Sequence, residues 1–274
     1  MELKKVMRVI RARFIMKAKI YFRYPLNIFF FVVDPIIWLS PFYFMAKVFS
    51  KGDSLSGFQA YTGSSNYMGF LILGFMLSSY SGAAMWSVGF SMKDEMMDGV
   101  LEANWTAPVN RAILVVSSSI FEFVRCTVEI VVTGVVCHFL FGFNISGNLI
   151  KAIMFMIPGI ISLIGLGLIM ASLVLIIKNA NTVVDISNSL LYGFSGAYFP
   201  IQIFPKYLLP IAFAIPLTFL NDSVRSILVG QKPLMDLRLQ FLILCGFMVA
   251  LLWLGYFIFM KVEGKCRERG LSGY

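Results

Sequence analysis

Charge is missing from long stretches of this 274-residue chain, and that absence constrains it more than any motif. Ser54 to Met92, Ala152 to Ile177, Ile186 to Pro205 and Leu239 to Met260 contain no Asp, Glu, Lys or Arg. Each run reaches or exceeds the ~20 residues a helix needs to cross about 30 Å of hydrocarbon. The composition agrees, with 14% charged residues where a soluble domain averages about 25%. The chain therefore reads as an all-α integral membrane protein of several spans.

Counting apolar stretches that tolerate a single charge gives six transmembrane helices, at residues 25 to 49, 66 to 92, 112 to 141, 151 to 177, 182 to 199 and 238 to 260. Lys and Arg mark the cytoplasmic side. Residues 1 to 24 hold Lys4, Lys5, Arg8, Arg11, Arg13, Lys17, Lys19 and Arg23, and the tail at 261 to 274 holds Lys261, Lys265, Arg267 and Arg269. Both termini are thus expected in the cytoplasm, which requires an even number of spans. Because the basic tracts abut apolar spans, they read as topology signals rather than a nucleic-acid surface. The first residues are too charged for a cleavable signal peptide. Instead Leu3, Val6, Met7, Ile10, Phe14, Ala18 and Tyr21 recur at helical spacing opposite a basic face, as in an amphipathic helix lying in the headgroup layer against membrane lipid.

Catalytic and metal chemistry find little footing. Cys126, Cys137, Cys245 and Cys266 lack paired or metal-like spacing, and His138 is the single histidine, so no metal site and no catalytic residue is assigned. No nucleophile motif occurs, and the phosphate loop G-x-x-x-x-G-K-[ST] is absent. If ATP drives this protein, another chain hydrolyses it.

Two further stretches stand out. Four acidic residues, Asp94, Glu95, Asp98 and Glu102, crowd into "SMKDEMMDGVLEANWTAPVNR", beside the soft apolar Met96, Met97, Val100 and Leu101. Residues 198 to 230 are apolar yet carry Pro200, Pro205, Pro210 and Pro216. Proline removes a helical hydrogen bond and clashes with the preceding turn, and the even span count forbids another crossing. Residues 200 to 235 are therefore expected to form a re-entrant helical pair on the outer side, capped by a polar patch of Asn221, Asp222 and Arg225.

Three motifs resemble those of the membrane-spanning permeases of ABC-2 type transporters. "GVLEANWTAPVNR" is similar to the family's cytoplasmic stretch after the second span, through Gly99, Leu101, Glu102, Thr106, Pro108 and Arg111. "GFSGAYFPIQIFPKYL" carries its S-G-x-x-[FY]-P segment as Ser195, Gly196, Phe199 and Pro200, and "IPLTFLNDSVRSILVG" its P-L-[ST] and following acidic and basic positions as Pro216, Leu217, Thr218, Asp222 and Arg225. Two positions depart, Val100 where Thr is usual and Ile215 where Asn is usual. The resemblance implies that about 91 to 108 form a coupling helix seated in an ATPase subunit, with Asp94, Glu95, Asp98, Gly99, Leu101, Glu102 and Pro108 as coupling residues. It also implies two ABC ATPase subunits that use ATP and Mg, and a second permease copy or a similar permease meeting this chain through the first and fifth spans, in a cell membrane.

Charges inside the spans need their own account, because each costs roughly 2.5–3.5 kcal/mol at membrane depth on insertion scales. Glu122, Arg125 and Glu129 share one stripe of the third span, Asp34 lies in the first and Asp185 in the fifth. Arg125 can pair with either Glu, which leaves one carboxylate over. The stripe reads either as a salt-bridge cluster locking the helices or as part of a polar pathway. Abundant Phe, Met and Tyr suit a greasy path for amphiphiles but serve any lipid-facing helix equally; with no large outer domain, the resemblance implies export of a hydrophobic drug, antibiotic or lipid. The alternatives are a lipid-linked polysaccharide and a secondary transporter driven by an ion gradient.

Overall fold

The computed structural model describes residues 2–49, 56–106, 109–177 and 180–269, and every described regular element is helical. The amphipathic start forms α1 (Glu2–Arg23), and α2 (Pro25–Phe49) follows after a break at Tyr24. Short α3 (Ser56–Thr62) precedes α4 (Tyr67–Gly82), which runs on as a π-helical turn, Ala83–Val88. Two short helices, α5 (Ser91–Met97) and α6 (Leu101–Trp105), lead into α7 (Arg111–Phe141), α8 (Leu149–Ile176) and α9 (Ala180–Phe194). The proline-rich segment breaks into a 3-10 turn (Ile201–Ile203), α10 (Leu209–Phe213) and α11 (Pro216–Val229), before α12 (Leu237–Arg269) closes the chain.

Local chemistry explains several boundaries. Asn66, Asn110 and Asn148 cap α4, α7 and α8, their side-chain oxygens accepting from Gly69 N, Ala112 N and Lys151 N at 2.8, 2.9 and 3.0 Å. Such caps satisfy amide donors that a helix start leaves open. At the other ends, α7 stops at Gly142 and α11 at Gly230, both left-handed, the conformation glycine adopts at least cost.

Among the described residues, four helices are long and apolar enough to cross a membrane: Pro25–Phe49, Tyr67–Val88, Leu149–Ile176 and Leu237–Cys266. Between them, the apolar run of α7 is interrupted by Glu122, Arg125 and Glu129, and α9 has 15 residues. The expected fifth span, 182 to 199, therefore ends early, because Gly196 takes a left-handed φ of 69° and turns the chain. Past the expected span, α12 continues helically through the tail region as far as Arg269, and residues 270–274 lie outside the described set. An ion pair between Arg111 and the buried Glu263, at 3.2 Å, ties that extension to the start of α7.

The helices pack around α8, which lies along α12, α11 and the π-helical turn. Its contact with α12 is close because both lack side chains where they meet: a Cβ on Gly165 would strike the Leu251 backbone, and one on Gly255 the Gly165 carbonyl. The core centres on buried Leu39, Phe70, Ile72, Tyr80, Leu163 and Leu217. The result is a bundle with two chemically distinct ends. One carries α1, α5 and α6, and the other α10 and α11.

Candidate functional site

At the α5 end, a second apolar cluster holds the short helices in place. Met92 of α5 and Leu101 of α6 are buried against Val88, Val115 and Phe259. The chain reverses between them at Gly99, whose φ is +69°. Anchoring both sides of a tight turn leaves its tip standing out: Asp98 and Gly99 are exposed, flanked by Met97 and Val100 at 73% and 43% exposure.

The acidic residues expected to act together are separated by this geometry. Asp98 stands at the exposed tip, whereas Glu95 is buried. Its Oε1 accepts from Arg13 Nη1 of α1 at 2.7 Å, and its Oε2 from Asn104 Nδ2 at 2.8 Å. Asp94 is half-buried; desolvation pushes its carboxyl above the usual range, and Lys17 partly opposes that rise. The Glu102 side chain and Pro108 lie outside the described residues. Leu101, expected at the contact surface, belongs instead to the buried root of the turn.

Behind the turn lies a polar cavity of about 380 Å³, lined among others by Lys17, Trp86, Asp94, Glu122, Arg125 and Glu129. Arg125 Nε donates to Glu122 Oε2 at 2.7 Å and Nη1 to Glu129 Oε2 at 3.1 Å. One guanidinium thus engages both carboxylates, so neither is left over as the one-to-one pairing expected. The guanidinium also lies over the Tyr21 ring at 5.9 Å, while Phe14 and Tyr21 pack on Phe121. Asp34 of α2 is exposed and near enough to Glu129 to interact electrostatically. Asp185 is exposed on α9 and does not line the cavity.

The α11 end holds the residues of the other two motifs, and they form a buried clamp rather than a surface patch. Arg225, 2% exposed, donates to the carbonyls of Phe70, Gly196 and Ala197 at 3.0, 2.6 and 2.6 Å. Its guanidinium also lies 3.5 Å from the Phe70 ring centre. Asp222 accepts from Leu234 N at 2.9 Å, Gln231 Nε2 at 3.2 Å and Gln240 Nε2 at 2.6 Å. Asn221 Nδ2 donates to Ser195 O at 3.3 Å, and Pro200 and Pro216 are buried beside them. Gly74 makes room, since a Cβ there would collide with Ala197 O and Arg225 Nη2.

Sequence reasoning missed Arg13, Asn104, Gln240 and Glu263. None carries a local signal: Arg13 is one of many basic residues on α1, and its partner lies 82 positions away. The buried Glu263, an acidic residue amid a basic tail, was the nearest thing to a clue. Among the described residues no group of His, Cys, Asp and Glu could hold a metal ion.

A family model described as ABC-2 type transporter matches residues 10–229, from within α1 to the end of α11. No curated protein matches the chain.

Proposed function

Since this chain belongs to the ABC-2 type transporter family, we propose that it is the membrane-spanning permease subunit of an ATP-driven exporter, working with separate ATPase subunits. In this reading the α5 end faces the cytoplasm, as do both termini, and the chain crosses the bilayer six times, with α7 and α9 as the third and fifth spans. α10 and α11 form the re-entrant pair at the outer side. Two copies, or this chain and a similar one, enclose the path, and two ATPase subunits below them bind ATP and Mg. The cargo is a hydrophobic drug, antibiotic or lipid.

One observation carries the reading: the α5–α6 turn presents an exposed tip of Met97, Asp98 and Val100 on a root that is fixed in the core. A rigid root and an apolar, acidic tip suit a part that must transmit a push from a partner into the attached helices. Closure of the ATPases would move the tip. α1 would follow through the Arg13–Glu95 pair, and α7 and α12 through their packing on the same cluster.

The test is co-purification in mild detergent followed by assay of ATP hydrolysis in the eluate. Wild type should bring down an ATPase that a Met97→Asp, Asp98→Lys, Val100→Asp variant loses at unchanged abundance and melting temperature. An ATPase retained by the variant would remove the tip from the contact. Transport by the purified chain without any ATPase would favour the ion-gradient reading.

A further inference from the structure

Three buried oxygens at the α11 clamp have no hydrogen-bonding partner among the described residues: Ser195 Oγ, Asn221 Oδ1 and Gln231 Oε1. Their residues are 1%, 1% and 5% exposed, and all three line one cavity of about 10 Å³. That is close to the ~10–15 Å³ needed by the centre of one water molecule.

The bonding capacities match as well. Both amide nitrogens are committed, Asn221 Nδ2 to Ser195 O and Gln231 Nε2 to Asp222 Oδ1. The two amide oxygens can therefore only accept, while the Ser195 hydroxyl can donate. A water has two hydrogens for the amide oxygens and a lone pair for the hydroxyl, so a single molecule satisfies all three groups. A metal cation would also attract three oxygens. However, Arg225 lines the same cavity, and its charge already offsets that of Asp222. A second cation there would be buried without a counter-charge, which is strongly unfavourable.

We infer that this cavity is the seat of one structural water that joins the two halves of the clamp. Arg225 grips the turn at 196–197 and the start of α4; Asp222 grips 231, 234 and the start of α12. Ser195 belongs to the first half and Gln231 to the second. The water is the bridge between them, so the α9–α10 turn, α11 and the lead into α12 move as one body.

Two measurements test this. The first is a single-particle map of the full chain in lipid nanodiscs, at a resolution that shows ordered water, recorded in sodium chloride and again in choline chloride. One peak within about 3.2 Å of the three oxygens is expected in both salts. No peak overturns the inference, and a peak present only with sodium replaces the water by a sodium ion. The second is a double-mutant cycle on melting temperature with Ser195→Ala and Gln231→Met. Residues coupled through a shared partner lose less together than the sum of their separate losses. Strictly additive losses would show that nothing bridges them.

Discussion

Asp94 and Glu95 are neighbours of identical charge, yet the fold gives them opposite energetic roles. Glu95 accepts two short hydrogen bonds, one from a guanidinium, and a bond to a charged group is worth about 1.5–3 kcal/mol. Glu95→Gln should lower stability by that order, measured as denaturant-induced or thermal unfolding of the detergent-solubilised protein. Asp94 has the reverse profile, because burial raises its carboxyl above the ordinary value despite Lys17. A raised acid binds its proton more tightly in the folded state than in the unfolded chain. Its contribution to stability is therefore greatest at or below the unfolded value of ~3.9 and falls as pH rises through the raised folded value. Asp94→Asn should be as stable as wild type or more so near neutrality, and should lose that part of the pH slope. Identical slopes in the two proteins would mean that Asp94 is not desolvated as described. The acidic patch was legible in the sequence, but its division among tip, cavity and core was not. Which acid turns inward depends on Arg13 and Asn104, which only the fold brings to Glu95.

At the level of elements, hydrophobic length was the dependable signal and close approach the hidden one. Runs without charge located α4, α8 and α12 because a helix is the form that satisfies its own backbone in hydrocarbon. The prolines correctly broke 200 to 235 into short helices, with α11 starting at Pro216, where a missing amide costs nothing. What the pattern could not reveal is that Gly74, inside an apolar run, lies beneath the Arg225 clamp, or that Gly165 and Gly255 face each other across α8 and α12. A glycine in a spanning helix looks the same whether or not a neighbour presses on it. Gly74 and Gly246 therefore make a matched pair. Gly74→Ala would place its methyl against Ala197 O and Arg225 Nη2, whereas a Cβ at Gly246 meets open space. Gly74→Ala should reduce folded protein in membranes severalfold, because the buried guanidinium must shift from its carbonyls. Gly246→Ala should be neutral or gain up to about 1 kcal/mol of helix stability. Equal yields and melting temperatures for the two variants would show that the clamp yields without cost.

At the scale of the whole molecule, α2 and α12 leave most of their apolar surface bare, and charge distinguishes what can cover each. Only 11% of the most apolar stretch of either α2 or α12 is buried within the chain. Phe29, Ile37 and Trp38 on α2 are exposed, as are Leu242, Trp253 and Phe257 on α12. Lipid covers such surfaces as readily as protein does, because acyl chains are as apolar as leucine. The span of α12, Leu239 to Met260, is free of charge and can face lipid. α2 cannot do so equally well, since Asp34 is exposed on it, and a carboxylate at membrane depth costs roughly 2.5–3.5 kcal/mol. Asp185 places the same demand on α9, where it too is exposed. Under the proposed pairing, both helices would suit the side that faces a second copy and the hydrated path between copies. Cysteine cross-linking in native membranes tests the choice. In a background lacking the partly exposed Cys245 and Cys266, Ile37→Cys should give an oxidant-dependent dimer on a non-reducing gel and Trp253→Cys should not. The reverse pattern would place α12 at the interface, and Asp34 would then have to reach water or a cation within a single copy.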